Sequence, residues 1–190
     1  MAKKDIHTLD NNPDILTHEA KNVPDDMFNT PLLKNYVTDL FDTMASTMAG
    51  SISAVKIGIP YKIVAYGGKA SVNFPEFHPE PKVLINADYE ILNDGLGVSV
   101  YEHCTSLPGK RGHTVRANKI NVTAQDIDGS PINFIAEGLL SVLLQHTIDH
   151  TYGKLFKDCA DEFGDIAEFE RKYGKSHHKQ FSIVELDNQK

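Results

Sequence analysis

The histidine pair His146 and His150 is the feature that most constrains what this chain can fold into. The pair follows a nearly continuous apolar stretch, residues 139–144, which is typical of a buried helix. Two histidines four residues apart on a helix lie on the same face, so both rings can bind a single ion. The zinc-hydrolase pattern H-E-x-x-H adds a glutamate that acts as general base. Thr147 stands at that glutamate position, and a hydroxyl is not a base near neutral pH. The segment therefore predicts a metal site that lacks the usual catalytic base.

The same helix has an alternative interpretation that needs no metal. Leu139, Val142 and Leu143 share the stripe of the two histidines, so the rings could form the polar shoulder of a core helix. Histidine is often partly buried for packing reasons alone. The helix by itself leaves both interpretations open.

Composition narrows the class of protein. A chain of 190 residues with 41% apolar and 24% charged residues is expected to form one domain with a real core. The net charge of −7 argues against direct nucleic-acid binding, and no apolar run approaches the ~18 residues of a membrane span. The first residues lack the apolar middle of a signal peptide, and two cysteines in different contexts, Cys104 and Cys159, favour free or metal-bound thiols. We therefore expect a cytoplasmic protein and leave its oligomeric state open.

Periodicity predicts mixed helices and strands. Residues 5–23 are expected to wrap loosely around the body, and Thr30, with Pro31 after it, opens an amphipathic helix that ends near residues 49–50. A Pro- and Gly-rich loop is predicted at residues 67–81, and an Asp-Gly at 128–129 predicts a hairpin. Short apolar or alternating runs predict strands at residues 62–66, 82–86, 89–92, 98–102, 120–124 and 132–134.

The C-terminal segment differs in character from the rest of the chain. Apolar residues at helical spacing from Phe163 to Tyr173 predict an amphipathic helix over residues 161–173. The polar context of His177 and His178 predicts a solvated pair and not a metal site. We expect a body at residues 1–158 and a helical C-terminal tail at residues 159–190.

Cys104 is a candidate third ligand, and its surroundings carry a family resemblance. Residues 102–109 read E-H-C-T-S-L-P-G and closely resemble the E-G-C-L-S-x-P-G motif of the peptide deformylases. Residues 146–150 match their H-E-x-D-H motif in both histidines and the aspartate, and residues 50–58 fall where the family carries G-x-G-x-A-A-x-Q-x-G. With these motifs in the correct order, the chain is identified as a member of that family over about residues 5–158.

The resemblance implies a fold, a metal and a reaction. The expected fold is α+β and peptide-deformylase-like, with short antiparallel sheets packed around a central metal-bearing helix. The implied ligands are Cys104, His146 and His150, which would hold one divalent transition metal, Fe, Zn or Ni. The family reaction is hydrolytic removal of the formyl group from the N-terminal formyl-Met of nascent peptides, so a peptide or small acyl ligand is expected.

The departures from the family pattern cluster on the reaction side. Thr147 replaces the glutamate, and Lys56 replaces the glutamine whose amide helps to hold the oxyanion. Thr105 replaces a leucine that serves through its backbone N–H, which any residue supplies. Side chains replace glycines in the substrate groove at Ala49, Ser51 and His103.

Two arginines are candidates for ordering the cysteine loop. Glu102 can form an ion pair with Arg111 or with Arg116, and the sequence leaves the choice open. Three hypotheses follow for the whole chain: a metal-binding protein with lost or strongly reduced deformylation, an active metal-dependent amide hydrolase with an altered mechanism or substrate, and a structural protein without metal. Retention of all three ligands weakens the last of these.

Overall fold

Helices and antiparallel strands alternate along the chain in this computed structural model, which describes residues 4–67 and 79–186. Most of the loop predicted at residues 67–81 lies outside the described residues. The elements in chain order are α1 (Pro13–Thr17), α2 (Pro31–Thr47), β1 (Ser51–Ser53), β2 (Ile63–Tyr66), β3 (Lys82–Ile91), β4 (Leu96–Glu102), β5 (Lys110–Ala117), β6 (Lys119–Gln125), β7 (Pro131–Glu137), α3 (Gly138–Thr151), β8 (Glu162–Asp165), α4 (Ile166–Tyr173) and β9 (Phe181–Glu185).

The strands form two antiparallel sheets with α3 between them. One sheet has the order β1-β2-β3-β6-β7 and the other the order β8-β5-β4-β9. Leu144 and Ile148 of α3 are fully buried in the core of the first sheet, while Val142 packs on Val98 and Val100 of β4. The predicted α+β fold with short antiparallel sheets around a central helix is confirmed.

Helix α2 follows its sequence signals closely. The Thr30 hydroxyl accepts a hydrogen bond from the backbone N–H of Leu33 at 3.3 Å, the N-cap that the sequence predicts. Leu33 and Leu40 are fully buried and face Ile63 and Ile85 of the first sheet. The helix ends at Thr47, and the capping residue Met48 has a φ of 52°, which is in the left-handed region.

Strand β3 joins two segments that the sequence separates. A bulge lies between Ile85 and Asp88, and Asn86 there has a φ of 52°. The Asn86 side chain accepts from Val23 N at 2.7 Å and donates to Val23 O at 3.0 Å. The irregularity therefore anchors the N-terminal segment to the sheet without ending the strand.

Strand β5 is absent from the sequence-based prediction. Its inward positions include Gly112, Thr114 and Arg116, which are buried but not apolar. Apolar alternation fails here because the buried face of the strand is occupied by partners of a buried carboxylate, described below.

The N-terminal segment wraps the body as predicted, but it is more regular than expected. It contains α1, whose Leu16 is fully buried. Backbone hydrogen bonds join His7 N to Lys56 O at 2.8 Å, Leu9 N to Ser106 O at 3.1 Å and Ala20 N to Thr151 O at 2.8 Å.

The predicted helix over residues 161–173 is wrong in its first part. Residues 162–165 form β8, which pairs with β5, and α4 begins only at Ile166. The sequence-based prediction also misses β9, which pairs with β4. The tail is therefore a strand, a helix and a second strand, because backbone pairing at the two sheet edges overrides the helical spacing of Phe163.

The predicted solvation of His177 is also wrong. Its ring is fully buried and lies 4.9 Å from the ring of Tyr101 and 5.9 Å from that of Phe169. In the described part of the chain, no helix combines the length and the apolar character needed to cross a membrane.

Candidate metal centre

Three donor atoms from two elements converge beside the central helix. Cys104 lies just after β4, and His146 and His150 lie one turn apart on α3. Potential ligand atoms of the three residues are all within 4.8 Å of one another. Cys104 Sγ is 3.2 Å from His150 Nε2, which is 3.3 Å from His146 Nε2. One sulfur and two imidazole nitrogens at this spacing fit a zinc, iron or nickel ion, and three protein ligands leave a position open for reaction.

The charge around Cys104 favours the thiolate that a metal requires. Burial alone would raise the pKa of the thiol, but the Lys56 ammonium and the imidazoles of His150 and His146 hold that pKa well below its ordinary value. Lys56 lies in the single helical turn after β1 and is buried.

A buried acid orients one of the ligands. Glu102 Oε2 is 2.5 Å from His146 Nδ1, the contact by which a carboxylate fixes the tautomer of a metal-binding histidine. Glu102 Oε1 accepts from Arg116 Nε and from the Thr114 hydroxyl, each at 2.6 Å. Burial would raise the pKa of Glu102, but Arg116 and His146 outweigh it and hold that pKa well below its usual range.

Arg116 extends the network behind the ligands. Its Nη1 donates to Asp149 Oδ2 at 2.8 Å, and Tyr89 donates to Asp149 Oδ1 at 2.8 Å. Burial, together with the Asp149 carboxylate, raises the pKa of Tyr89. Tyr89 and Thr114 belong to no recognisable motif, so their place in this network could not be predicted from the sequence.

Arg111 does not form the ion pair with Glu102 for which the sequence made it a candidate. It is buried, and its Nε and Nη1 have no hydrogen-bond partner among the described residues. Glu102 pairs in register with Gly112, so positions two and four residues further along β5 share its face. Arg116 is on that face, and Arg111 is on the other.

The residue at the family's glutamate position is tied to its surroundings. Thr147 Oγ1 donates to Leu143 O at 2.7 Å and lies 2.5 Å from Ser51 Oγ. Because the Thr147 proton goes to Leu143, Ser51 is the donor in the second contact. The Ser51 hydroxyl therefore donates to Thr147, and the Thr147 hydroxyl donates to the backbone of α3.

A cavity of about 250 Å³ opens beside these groups. Of the candidate metal, catalytic, groove and ion-pair residues predicted from the sequence, only Arg111 and Arg116 are absent from the cavity lining. His103 and Thr105 are exposed at its surface, while Lys56 is buried in it. The chemically distinctive lining residues are Ala49, Ser51, Lys56, His103, Cys104, Thr105, His146, Thr147 and His150. The apolar lining includes Val100, Leu139, Val142 and Leu143.

Fold and site together define an α+β protein with a candidate three-ligand metal centre beside a cavity. The family model for polypeptide deformylase matches residues 3–165. A peptide deformylase of Stutzerimonas stutzeri is 32% identical over 148 residues, which cover 78% of this chain and 83% of the relative. Peptide deformylase 2 of Ralstonia nicotianae is 34% identical over 141 residues, 74% of this chain and 79% of the relative. The chain belongs to the peptide deformylase family.

Solved structures agree with this assignment at the level of the fold. A class I type b peptide deformylase from Acinetobacter baumannii superposes with a TM-score of 0.77 at 21% identity, covering 84% of this chain and 99% of that chain. Another structure of a class I type b deformylase from that organism, with Met-Ala-Ser bound, also has a TM-score of 0.77 at 21% identity and covers 83% of this chain and 98% of that chain. Peptide deformylase 1B of Arabidopsis thaliana has a TM-score of 0.71 at 25% identity, covering 88% of this chain and 87% of that chain.

Proposed function

We propose that this chain is a metal-binding deformylase-family protein in which hydrolysis of formyl-Met peptides is lost or strongly reduced. The single observation that carries the proposal is the state of Thr147. Its hydroxyl occupies the position of the family's general base, donates to Leu143 O and accepts from Ser51. A threonine hydroxyl is far too weakly basic to accept a proton from a metal-bound water near neutral pH, so it cannot act as the general base.

The ligand side supports a bound metal. Cys104, His146 and His150 are poised as donors, and Glu102 and Arg116 brace His146 from behind. When bound, Fe, Zn or Ni supplies Lewis acidity at this site. The chain's own contribution is to orient the ligands and to present the Thr105 backbone N–H and the Lys56 ammonium as hydrogen-bond donors.

The expected loss of rate follows from the missing base. General acid–base catalysis is typically worth about 10²- to 10⁴-fold. Its absence corresponds to roughly 3–5 kcal/mol of transition-state stabilisation. A bound metal alone leaves a slow hydrolase at most.

A second candidate is an active metal-dependent amide hydrolase with an altered mechanism or substrate. The observation that favours it is the position of Lys56, a buried cation in the same cavity as the metal ligands. An ammonium there can stabilise an oxyanion in place of the family's glutamine amide.

Further parts of the proposal concern ligand and setting. The family and the apolar wall at Leu139, Val142 and Leu143 support a peptide or small acyl ligand. We place the deformylase-like unit at residues 1–158, treat residues 159–190 as an added tail, and propose a cytoplasmic protein that does not bind nucleic acid.

The test is an assay of formyl-Met-Ala-Ser hydrolysis with the protein loaded separately with Fe, Ni and Zn. The matched control is Cys104→Ala, which removes a metal ligand and defines the background. We expect kcat/KM close to that background with every metal. Efficient turnover with any of the three would refute the proposal and favour the altered hydrolase.

A further inference from the structure

The cavity beside the metal ligands contains an unusual buried charge. Lys56 is 5% exposed, and no carboxylate among the described residues lies within ion-pair distance of its ammonium group. The Glu102 carboxylate in the cavity wall is already used by Arg116, Thr114 and His146. The three candidate ligands, Cys104, His146 and His150, line the same cavity as Lys56.

A bound metal would add positive charge to this cavity. A divalent ion held by one thiolate and two neutral imidazoles keeps a net positive charge, and the Lys56 ammonium lines the same cavity. Buried charge without a partner is costly, and like charges in a cavity of low dielectric repel strongly. With Thr147 in place of a glutamate, Glu102 is the only acid among the described residues of the lining, so no further carboxylate there neutralises the metal and Lys56.

Ser53 adds a free donor to the same wall. Its hydroxyl is fully buried and has no hydrogen-bond partner in the described part of the chain. Ser51 and Thr147, in contrast, satisfy each other and Leu143. A ligand that brings an acceptor oxygen to this wall would satisfy Ser53 and neutralise Lys56 together.

Another part of the cavity lining is apolar. Val100, Leu139, Val142 and Leu143 belong to it, so the cavity of about 250 Å³ combines a buried cation with a hydrophobic surface. We propose that the site binds a small carboxylate with a short apolar chain, its carboxylate at Lys56 and Ser53 beside the metal and its chain against the α3 wall. This inference rests on the proposed metal-binding function and specifies the ligand of the same site. The ligand is an anion, whereas the substrate of the family reaction is a neutral formyl amide.

The test compares hexanoate with hexanamide, which has the same chain length but no charge. Calorimetric titration of the metal-loaded protein is expected to give hexanoate a Kd at least tenfold lower, which corresponds to ~1.4 kcal/mol. Lys56→Gln should reduce that preference at least tenfold. Lys34→Gln, which removes an equal charge from an exposed site on α2, should leave it unchanged. The inference would be overturned if wild type bound hexanoate and hexanamide with nearly equal Kd, or if the tighter binding of hexanoate persisted in Lys56→Gln.

A second variant covers the case in which Lys56→Gln fails to fold. Thr147→Glu returns a negative charge to the site and should weaken hexanoate binding at least tenfold in protein that elemental analysis shows to retain its metal. If metal-loaded Thr147→Glu binds hexanoate as tightly as wild type does, the inference is also overturned. Weak deformylation without a carboxylate preference sinks only this inference, whereas efficient deformylation sinks the proposed function.

Discussion

Ser51 Oγ lies 2.5 Å from Thr147 Oγ1, a hydrogen bond between residues 96 positions apart. Ser51 stands where the family pattern has a groove glycine, and Thr147 stands where it has the catalytic glutamate. The two departures are therefore one structural change. A longer carboxylate at position 147 would meet the Ser51 side chain, and a glycine at position 51 would leave Thr147 without its donor.

The first prediction is that neither Thr147→Glu nor Lys56→Gln alone restores efficient hydrolysis of a formyl-Met peptide. Thr147→Glu alone should raise kcat/KM for a formyl-Met peptide less than about tenfold, because Lys56 would pair with the new carboxylate and hold its pKa too low for a base. Lys56→Gln alone should give no rise, because it supplies no proton acceptor. A steady-state comparison at equal metal content checks both. A large increase in kcat/KM from Thr147→Glu alone would show that Lys56 and Ser51 do not prevent the new carboxylate from acting as a base.

Metal content is the second prediction. Purified protein should contain about one equivalent of a first-row transition metal, since three donors converge at a thiolate of lowered pKa. Cys104→Ala should abolish binding, whereas Cys159→Ala, at the exposed cysteine, should not. Elemental analysis after anaerobic, chelator-free purification decides. A normally folded wild type with no metal contradicts this prediction.

The third prediction concerns the buried network behind the ligands. Arg116→Met leaves the Glu102 and Asp149 carboxylates buried without their cation and should cost about 3–5 kcal/mol in free energy of unfolding. Arg111→Met is the matched control: it removes a buried arginine of the same strand whose Nε and Nη1 are unpartnered, so it should cost less than about 1 kcal/mol. Urea denaturation measures both. Equal losses would mean that the Arg116 contacts contribute nothing specific.

The tail supplies the fourth prediction. Residues 161–190 contain seven acidic and five basic residues, and β8 and β9 extend the second sheet. We expect deletion of residues 181–190 to lower stability by exposing the edge of β4. Because the tail carries more acidic than basic residues, we also expect that it does not bind ribosomal RNA. Thermal unfolding and ribosome co-sedimentation test the two halves. Salt-sensitive co-sedimentation that the deletion abolishes would show the second half to be wrong.

Sequence reasoning predicted the features that local patterns encode. A capping threonine, a proline at the helix start and a 3.6-residue period defined α2, and the Asp128-Gly129 turn indicated the hairpin of β6 and β7. The choice between Arg111 and Arg116 depended on the register of β4 and β5, which no local pattern contains.

Other features depended on long-range contacts. Strand β5 escaped prediction because its buried face is polar, and β8 and β9 because edge pairing overrides local periodicity. His177 has a polar sequence context and is buried only because the aromatic rings of Tyr101 and Phe169 surround it. The contact between Ser51 and Thr147 is likewise invisible without the fold.

The most direct measurement of the central claim is kcat/KM for a formyl-Met peptide in the triple variant Thr147→Glu, Ser51→Gly, Lys56→Gln. Both this variant and wild type should carry the same metal at the same occupancy. If the chain is a deformylase-family protein disabled at its base, the triple variant should exceed wild type by ~10²-fold or more, and by more than the combined effects of the single changes. A wild type that already matches the triple variant has another base, and that result would contradict the account.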